Sequence, residues 1–259
     1  MSDTSTSPWR RYIGEFLSLF LAVSLGFFVD NYREEREDRH RERVLMQQVL
    51  QDLASDKERL DTNLVLRHRR GTLMDSLLDM ATPAGMRGPT SEFYYLTQAI
   101  RLRSYFEPTN GAFDQLFGGG GLQFVQRVEI IAAIQRYRNN LANLMALQAI
   151  EEGQLDSYRN GPMPEVVDAV VVRSIRDGLA ATYDERTRRP AGNPPLLTTD
   201  PMKLNRLFQS VASMVSMNES SVRVLHGLDQ QIHDLVRLIA MTYGLSTNPL
   251  DRSRTTTTP

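Results

Sequence analysis

Glu15 is the one charged residue in an apolar run of eighteen, Tyr12 to Val29, and is the first candidate for chemistry. An ionised carboxylate alone in hydrocarbon is expensive, so such a group marks a paired boundary, a proton path or a bond between subunits. Arg11 stands four residues earlier, the spacing at which two side chains meet on one helical face. This spacing allows the Arg11 ion pair, while the apolar setting of the carboxylate gives the proton-linked reading.

The other reactive residue types lack partners at workable distances. The histidines are His40, His68, His226 and His233. The last two share a helical face but lie about 10 Å apart in rise, too far for one metal ion. There is no His-Glu-x-x-His pattern and no Gly-x-Ser-x-Gly elbow, and the carboxylates fall in runs alternating with arginine. The absence of cysteine removes thiol nucleophiles, disulfides and cysteine metal sites, while leaving the compartment open. Gly118 to Gly121 has no Lys-Ser/Thr after it and no strand before it, so it reads as a flexible helix stop and not a phosphate loop. Arg67, His68, Arg69 and Arg70 form a small basic run that reads as a solvated face, or as a patch for lipid head groups or an acidic partner. No catalytic, cofactor-binding or metal-binding residue is assigned. The chain is expected to need no cofactor and not to be an enzyme.

The 259 residues include 41% apolar and 24% charged residues, which is ordinary globular usage and allows one large or two small domains. A net charge of -1 leaves no basic excess for nucleic acid. The membrane signal is therefore local. Residues 12–29 cover about 27 Å as a helix, enough to cross hydrocarbon. Trp9, Arg10, Arg11 and Tyr32 supply interfacial anchors. A cleaved signal peptide would need a shorter apolar core and a small-x-small exit, whereas this run leaves through Phe27, Phe28 and Val29. The expected division is an N-terminal tail at 1–8, a transmembrane helix at 9–32, a helical soluble domain at 33–244 and a C-terminal tail at 245–259, both tails disordered.

Within the span, Gly14, Ser18, Ala22 and Gly26 recur every fourth residue and line one groove, the kind of surface through which helices associate in lipid. Asn31 to Arg43 is a charged run of alternating sign, suited to a solvated helical stalk. The Lys/Arg count alone would hold the C-terminal side in the cytoplasm. The acidic residues mixed through that flank, and the habit of uncleaved anchors of keeping a short N-tail inside, tip the expectation to a periplasmic soluble region on a bacterial inner membrane.

Beyond the stalk, Val49, Leu53, Leu60 and Leu64 share a face that Leu73 and Leu77 repeat, predicting one or two helices up to the loop at Pro83. Thr90 or Ser91 is expected to cap a helix running to Phe106, and a short piece follows at 112–117. Residues from Val128 to about Tyr158 predict a long helix, and Pro162 to Tyr183 another. Residues 184–199 read as a proline-rich loop that covers something or floats free. Asp200-Pro201 opens the clearest helix, which Gly244 ends. Its seam repeats every seven residues: Leu204, Val211, Asn218, Leu225, Ile232 and Ile239, with Leu207, Met214, Ser221, Leu228 and Leu235 three residues on. Asn218 and Ser221 make one polar layer of the sort that fixes register or oligomer state at a cost in stability. The fold class is thus all-α: one transmembrane helix followed by an elongated antiparallel bundle with coiled-coil character.

Gly14-Glu15 at the entry of the apolar helix, with Asn31-Tyr32 and the Glu34 to Arg36 charges at its exit, resembles an uncharacterised bacterial family of small single-span membrane proteins. Members open with Gly-Glu, an apolar helix and Asn-Trp-x-Glu, and carry a mid-chain helix ending in Gly and Leu, as Leu116 to Leu122 does here. Tyr32 replaces the usual Trp, and four glycines replace one. The resemblance covers the first 45 or so residues and implies a membrane location without a mechanism. The functional expectation is a membrane-anchored helical scaffold or adaptor, with lipid and either further copies of itself or another membrane protein as partners. A proton-linked or pore-forming subunit that depends on Glu15 is the alternative, and an enzyme the least favoured.

Overall fold

The computed structural model describes residues 8–82, 88–101, 103–176 and 187–246, and among them the protein is all-α. The one β-type pairing there is an isolated bridge between Arg176 and Thr187. Seven α-helices follow in order: α1 (Pro8–Asp79), α2 (Thr90–Ala99), α3 (Gly111–Gly118), α4 (Val128–Asn160), α5 (Pro162–Val166), α6 (Ala169–Ile175) and α7 (Pro201–Tyr243). The expected terminal tails fall mainly on 1–7 and 247–259, and the Pro83 loop on 83–87, outside the described residues. Pro8 already belongs to α1, and Leu245 packs against the core while its N–H donates to the carbonyl of Ala240 at 3.0 Å.

The apolar run, the charged stalk and the leucine-patterned segment are one helix of 72 residues, about 108 Å long. No proline or glycine pair interrupts it between Trp9 and Asp79. From Phe16 to Arg36 it is exposed all round, and one helix there is long and apolar enough to cross a membrane by length and composition. The stalk carries ion pairs one turn apart, Arg33–Glu37, Glu35–Arg39 and Glu37–Arg41, each adding a little helix stability. The expected solvated run to Arg43 ends sooner, because Glu42 is buried, taking hydrogen bonds from the backbone of Gln126 at 2.9 Å and the Tyr243 hydroxyl at 2.6 Å.

Beyond Glu42, α1 packs on α7, and α7 packs on α4. The contacts Arg43–Gly244, Lys57–Asp229 and Arg67–Asn218 fall in opposite chain order, so α7 runs against α1. Glu42–Gln126, Asp56–Tyr137 and Arg67–Glu151 fall in the same order, so α4 runs with α1. All eleven seven-residue seam positions of α7 are buried, Asn218 and Ser221 included. Asp200 caps this helix by accepting from the Met202 N–H at 2.9 Å, and Gly244 closes it with φ of 59°, a left-handed conformation that favours glycine.

Three expectations are corrected. Helix α2 stops at Ala99, not Phe106; residues 103–109 are extended because side chains of neighbouring helices take up their backbone groups. Gln148 brackets Phe106, accepting from its N–H at 2.8 Å and donating to its carbonyl at 3.2 Å, and Asp56 accepts from the Thr109 N–H at 2.6 Å. Thr90 is the first residue of α2 and Pro89 holds the cap position; the Ser91 N–H is taken by Asn193 from the proline-rich loop at 3.3 Å. The single helix expected over 162–183 is split at Val167 into α5 and α6, where Asp168 caps α6 through the Val170 N–H at 2.6 Å; residues 177–183 lie outside the described ones. The loop at 187–199 lies over α2, with Arg189 paired to Glu92 and stacked on Tyr95, and Tyr94 donating to the carbonyl of Pro195.

Gly118 to Gly121 turns the chain against α1. Gly120 has φ of 74°, and a Cβ on Gly121 would stand 2.9 Å from Leu45 and 3.0 Å from the backbone of Leu116. The turn is therefore packed, and only glycine fits at Gly121 without displacing Leu45.

Candidate functional site

The core is divided in two. One apolar cluster joins Leu45–Leu64 of α1, Ile130–Leu144 of α4 and Leu225–Ile239 of α7; the other joins Met74 and Leu77 with α2, the end of α4, α5, α6 and the start of α7. Between them lies a buried polar layer built by Asn63, Arg67 and Arg70 of α1, Gln148 and Glu151 of α4, and Asn218 and Ser221 of α7. Arg67 and Arg70 are 0% and 1% exposed, and Glu151 is 1% exposed. The reading of 67–70 as a basic surface is corrected: His68 and Arg69 face out, while the two arginines point into the core.

Glu151 holds both guanidinium groups. Arg67 contacts it through two nitrogens, at 3.0 and 3.4 Å, and Arg70 contacts it through Nη1. Two cations thus face one carboxylate in a buried layer, and neutral acceptors take up most of the remaining donors, though Arg70 Nη2 has no hydrogen-bond partner among the described residues. Asn63 Oδ1 accepts from Arg67 Nε at 3.0 Å, Asn218 Oδ1 from Arg67 Nη1 at 3.4 Å, and the carbonyl of Ile100 from Arg70 Nε at 3.0 Å. Asn218 Nδ2 donates back to the carbonyl of Arg67 at 3.1 Å, and Asn63 Nδ2 donates to Ser104 Oγ at 3.1 Å. Hydrogen bonding to this extent is what makes a buried ion pair tolerable, since desolvation of each charge costs several kcal/mol. Ser221 Oγ, the other member of the expected polar layer, is buried without a hydrogen-bond partner among the described residues.

The layer was present in the sequence at seven-residue spacing. Glu42, Val49, Asp56, Asn63, Arg70 and Leu77 form one row of α1, and Met46, Leu53, Leu60, Arg67 and Met74 the other; all are buried. Reading leucines alone skips the polar members of each row. On α4, Glu151 sits seven residues after Leu144 and seven before Tyr158, again between buried apolar neighbours.

A second buried acid ties the extended strap to α1. Asp56 is fully buried and accepts from the Tyr137 hydroxyl at 2.7 Å as well as from the Thr109 N–H. Burial raises its pKa above the ordinary carboxylate value, and these two hydrogen bonds oppose the rise. Burial, then the Asp56 charge, pushes the Tyr137 hydroxyl far up, so it stays a donor at any physiological pH. The neighbouring Asp52 accepts from the Ala112 N–H at 2.7 Å.

None of these groups is placed as a nucleophile beside a base. His68 and His226 bring their rings to 6.1 Å, a pairing across helices that linear spacing could not foretell. Among the described residues no three His, Asp or Glu side chains are grouped to hold a metal.

The membrane candidates lie at the other end of α1. Ser18, Ala22 and Gly26 are exposed on one face, and a Cβ on Gly26 would meet nothing within 4 Å; Gly14 is helical, but its surroundings lie outside the described residues. Glu15 is exposed at the start of the apolar window. The side chain of Arg11, its expected partner, lies outside the described residues. Comparison with known protein families, characterised proteins and solved structures finds no match to this chain.

Proposed function

We propose that this chain is a membrane-anchored helical scaffold or adaptor, oligomeric and without catalytic activity. The observation that carries the reading is the continuity of α1: its first part is apolar and exposed all round, and its last part is built into the core. A core helix of a soluble protein would bury its apolar window, and this one buries none of it. A cleaved leader would not be expected to run without a break into the packed domain. In this reading residues 9–32 cross a bacterial inner membrane, the stalk is a rigid spacer, and the soluble region is an elongated bundle with coiled-coil character, held on the periplasmic side. Its likeness at Gly14-Glu15 and Asn31-Tyr32 to the single-span family supports the same location.

Self-association is assigned to the Ser18, Ala22 and Gly26 face with Gly14, where small side chains allow close approach of helices in lipid. The heptad seam of α7 is satisfied within the chain by α1 and α4. Light scattering in a mild detergent tests this reading: the wild type is expected as an oligomer, and Gly14→Leu with Gly26→Leu as a smaller species. A wild-type monomer would remove the oligomer from the account. The second reading is a proton-linked subunit, which rests on Glu15 being the one charge in the apolar run and for which Glu15→Gln must abolish function while leaving assembly intact.

A further inference from the structure

A groove of about 610 Å³ opens between the end of α2 and the α5–α6 segment, lined by Arg101, Met163, Val167, Val172, Arg173 and Arg176 with Pro164 and Ala169. Three guanidinium groups line it, and among the described residues no carboxylate does. Neighbouring arginines differ: Arg189 has Glu92, Arg206 has Glu165 and Arg159 has Asp156. The remaining wall is apolar, supplied by Met163, Pro164, Val167, Ala169 and Val172.

Arg101 is the telling residue. It is half-buried, its Nη1 donates to Gln98, and its Nε is buried with no hydrogen-bond partner among the described residues. Burial, followed by the charges of Arg159 and Arg176, lowers its pKa, with Tyr158 opposing. Among the described residues such a guanidinium has no carboxylate to offset its desolvation. The groove wall is held in shape from behind. Asp168 caps α6, its own N–H donates to the Tyr94 hydroxyl at 3.1 Å, and Arg176 bridges to Thr187 while the Arg188 N–H donates to the carbonyl of Ile175 at 2.9 Å.

We infer that this groove binds a phosphomonoester carrying a short apolar group, the phosphate taken by Arg101, Arg173 and Arg176 and the apolar group by Val167, Val172 and Met163. Planar guanidinium forks suit a phosphate's oxygens, and several around one site supply charge-assisted hydrogen bonds. The groove's level is set by the bond from Arg70 to the carbonyl of Ile100, the residue before Arg101. Measured along α1, that is about 60 Å beyond the end of the apolar run. The bilayer that anchors α1 is out of reach, so the ligand comes either as a soluble compound or as a lipid of a second membrane.

The test uses the full chain in nanodiscs of neutral lipid, with hexyl phosphate and inorganic phosphate as calorimetric probes and phosphatidic-acid vesicles in a flotation assay. Hexyl phosphate is expected to bind saturably, inorganic phosphate at least tenfold more weakly, and Arg173→Ala with Arg176→Ala to weaken hexyl phosphate binding at least tenfold. Both of those residues are exposed on α6 or its end, so the double variant should fold, which unchanged far-ultraviolet dichroism checks. Flotation of the wild type but not of the double variant would assign the phosphate to a lipid head group; hexyl phosphate binding without flotation would assign it to a soluble compound. The inference is overturned if hexyl phosphate does not bind, if the double variant binds it as tightly as wild type, or if inorganic phosphate binds equally well.

Discussion

The two halves of α1 share a backbone and differ in everything their side chains meet. From Phe16 to Arg36 every residue is exposed, first apolar and then charged. From Glu42 to Leu77 two rows of residues are buried with polar members among them. In the first half apolar residues surround the helix without a stripe; in the second most of them lie on the buried face, with Val44 and Val65 the exposed exceptions. The contrast teaches that polarity alone does not tell a buried position from an exposed one. Phe28 is 76% exposed and Arg67 fully buried. What matters is whether the position lies on the seam and whether its polar atoms find partners.

The same contrast orders the expected effects of substitution. Glu151→Ala leaves Arg67 and Arg70 buried without their counter-charge and is expected to destabilise the full chain by about 3–5 kcal/mol, read from thermal or urea unfolding in detergent. A loss under about 1 kcal/mol would mean the layer is open to water. Leu60→Ala, at a fully buried seam position, is expected to cost about 2–5 kcal/mol, whereas Leu19→Ala in the exposed apolar half should leave the unfolding midpoint of the soluble region unmoved. Equal losses at the two sites would contradict the division of α1.

Asn218→Leu refines the comparison. Seam periodicity by itself predicts that replacing a polar residue with leucine stabilises the helices. Here Asn218 both accepts from and donates to Arg67, so its loss deprives a buried guanidinium of a partner, and a cost of about 1–3 kcal/mol is expected. A gain in stability would show that Glu151 and Asn63 suffice for Arg67.

Asp56 gives a dependence on pH. Its folded pKa is raised above the ordinary 3.8, so the folded chain holds the proton more tightly than the unfolded chain. The favourable contribution is therefore present at low pH and is lost as pH climbs from 3.8 through the folded value. Across that interval the wild type should lose stability relative to Asp56→Asn. Unfolding curves of the two proteins that stay parallel with pH would exclude the effect. The smallest expected change is at the stalk: Glu35→Ala removes an exposed pair with Arg39 and should cost less than about 0.5 kcal/mol.

Much of this architecture was legible in the sequence. The α7 seam could be read in full because its polar breaks are few, its cap is Asp200-Pro201 and its stop is Gly244. The exposed apolar run was equally plain. The ionic layer was not, because Asp56, Asn63, Arg67, Arg70 and Glu151 interrupt the leucine rows with residues that look like surface, and partners 30 to 151 positions away explain their burial. The extended strap escaped for a related reason. Residues 103–106 read as the end of a helix that Pro108 stops, but Gln148 and Asp56 claim the backbone groups of Phe106 and Thr109 from distant helices. The groove beside Arg101 depends on α6 being broken from α5 at Asp168, a boundary that the valine-rich sequence around it conceals.

The central claim is that one unbroken helix passes from lipid, through water, into the protein core. A spin-label scan tests it most directly, and the absence of native cysteine lets each label be placed alone. With the full chain in liposomes, single cysteines from Phe16 to Glu58 would be labelled and their contact with oxygen and with a water-soluble nickel complex measured. The account predicts high oxygen and low nickel contact at every helical phase from Phe16 to Val29, high nickel contact from Asn31 to Arg41, and from Glu42 onward an alternation of immobile and mobile labels with a period near 3.5 residues. Nickel contact along Phe16 to Val29 equal to that at Arg33 to Arg41 would contradict it.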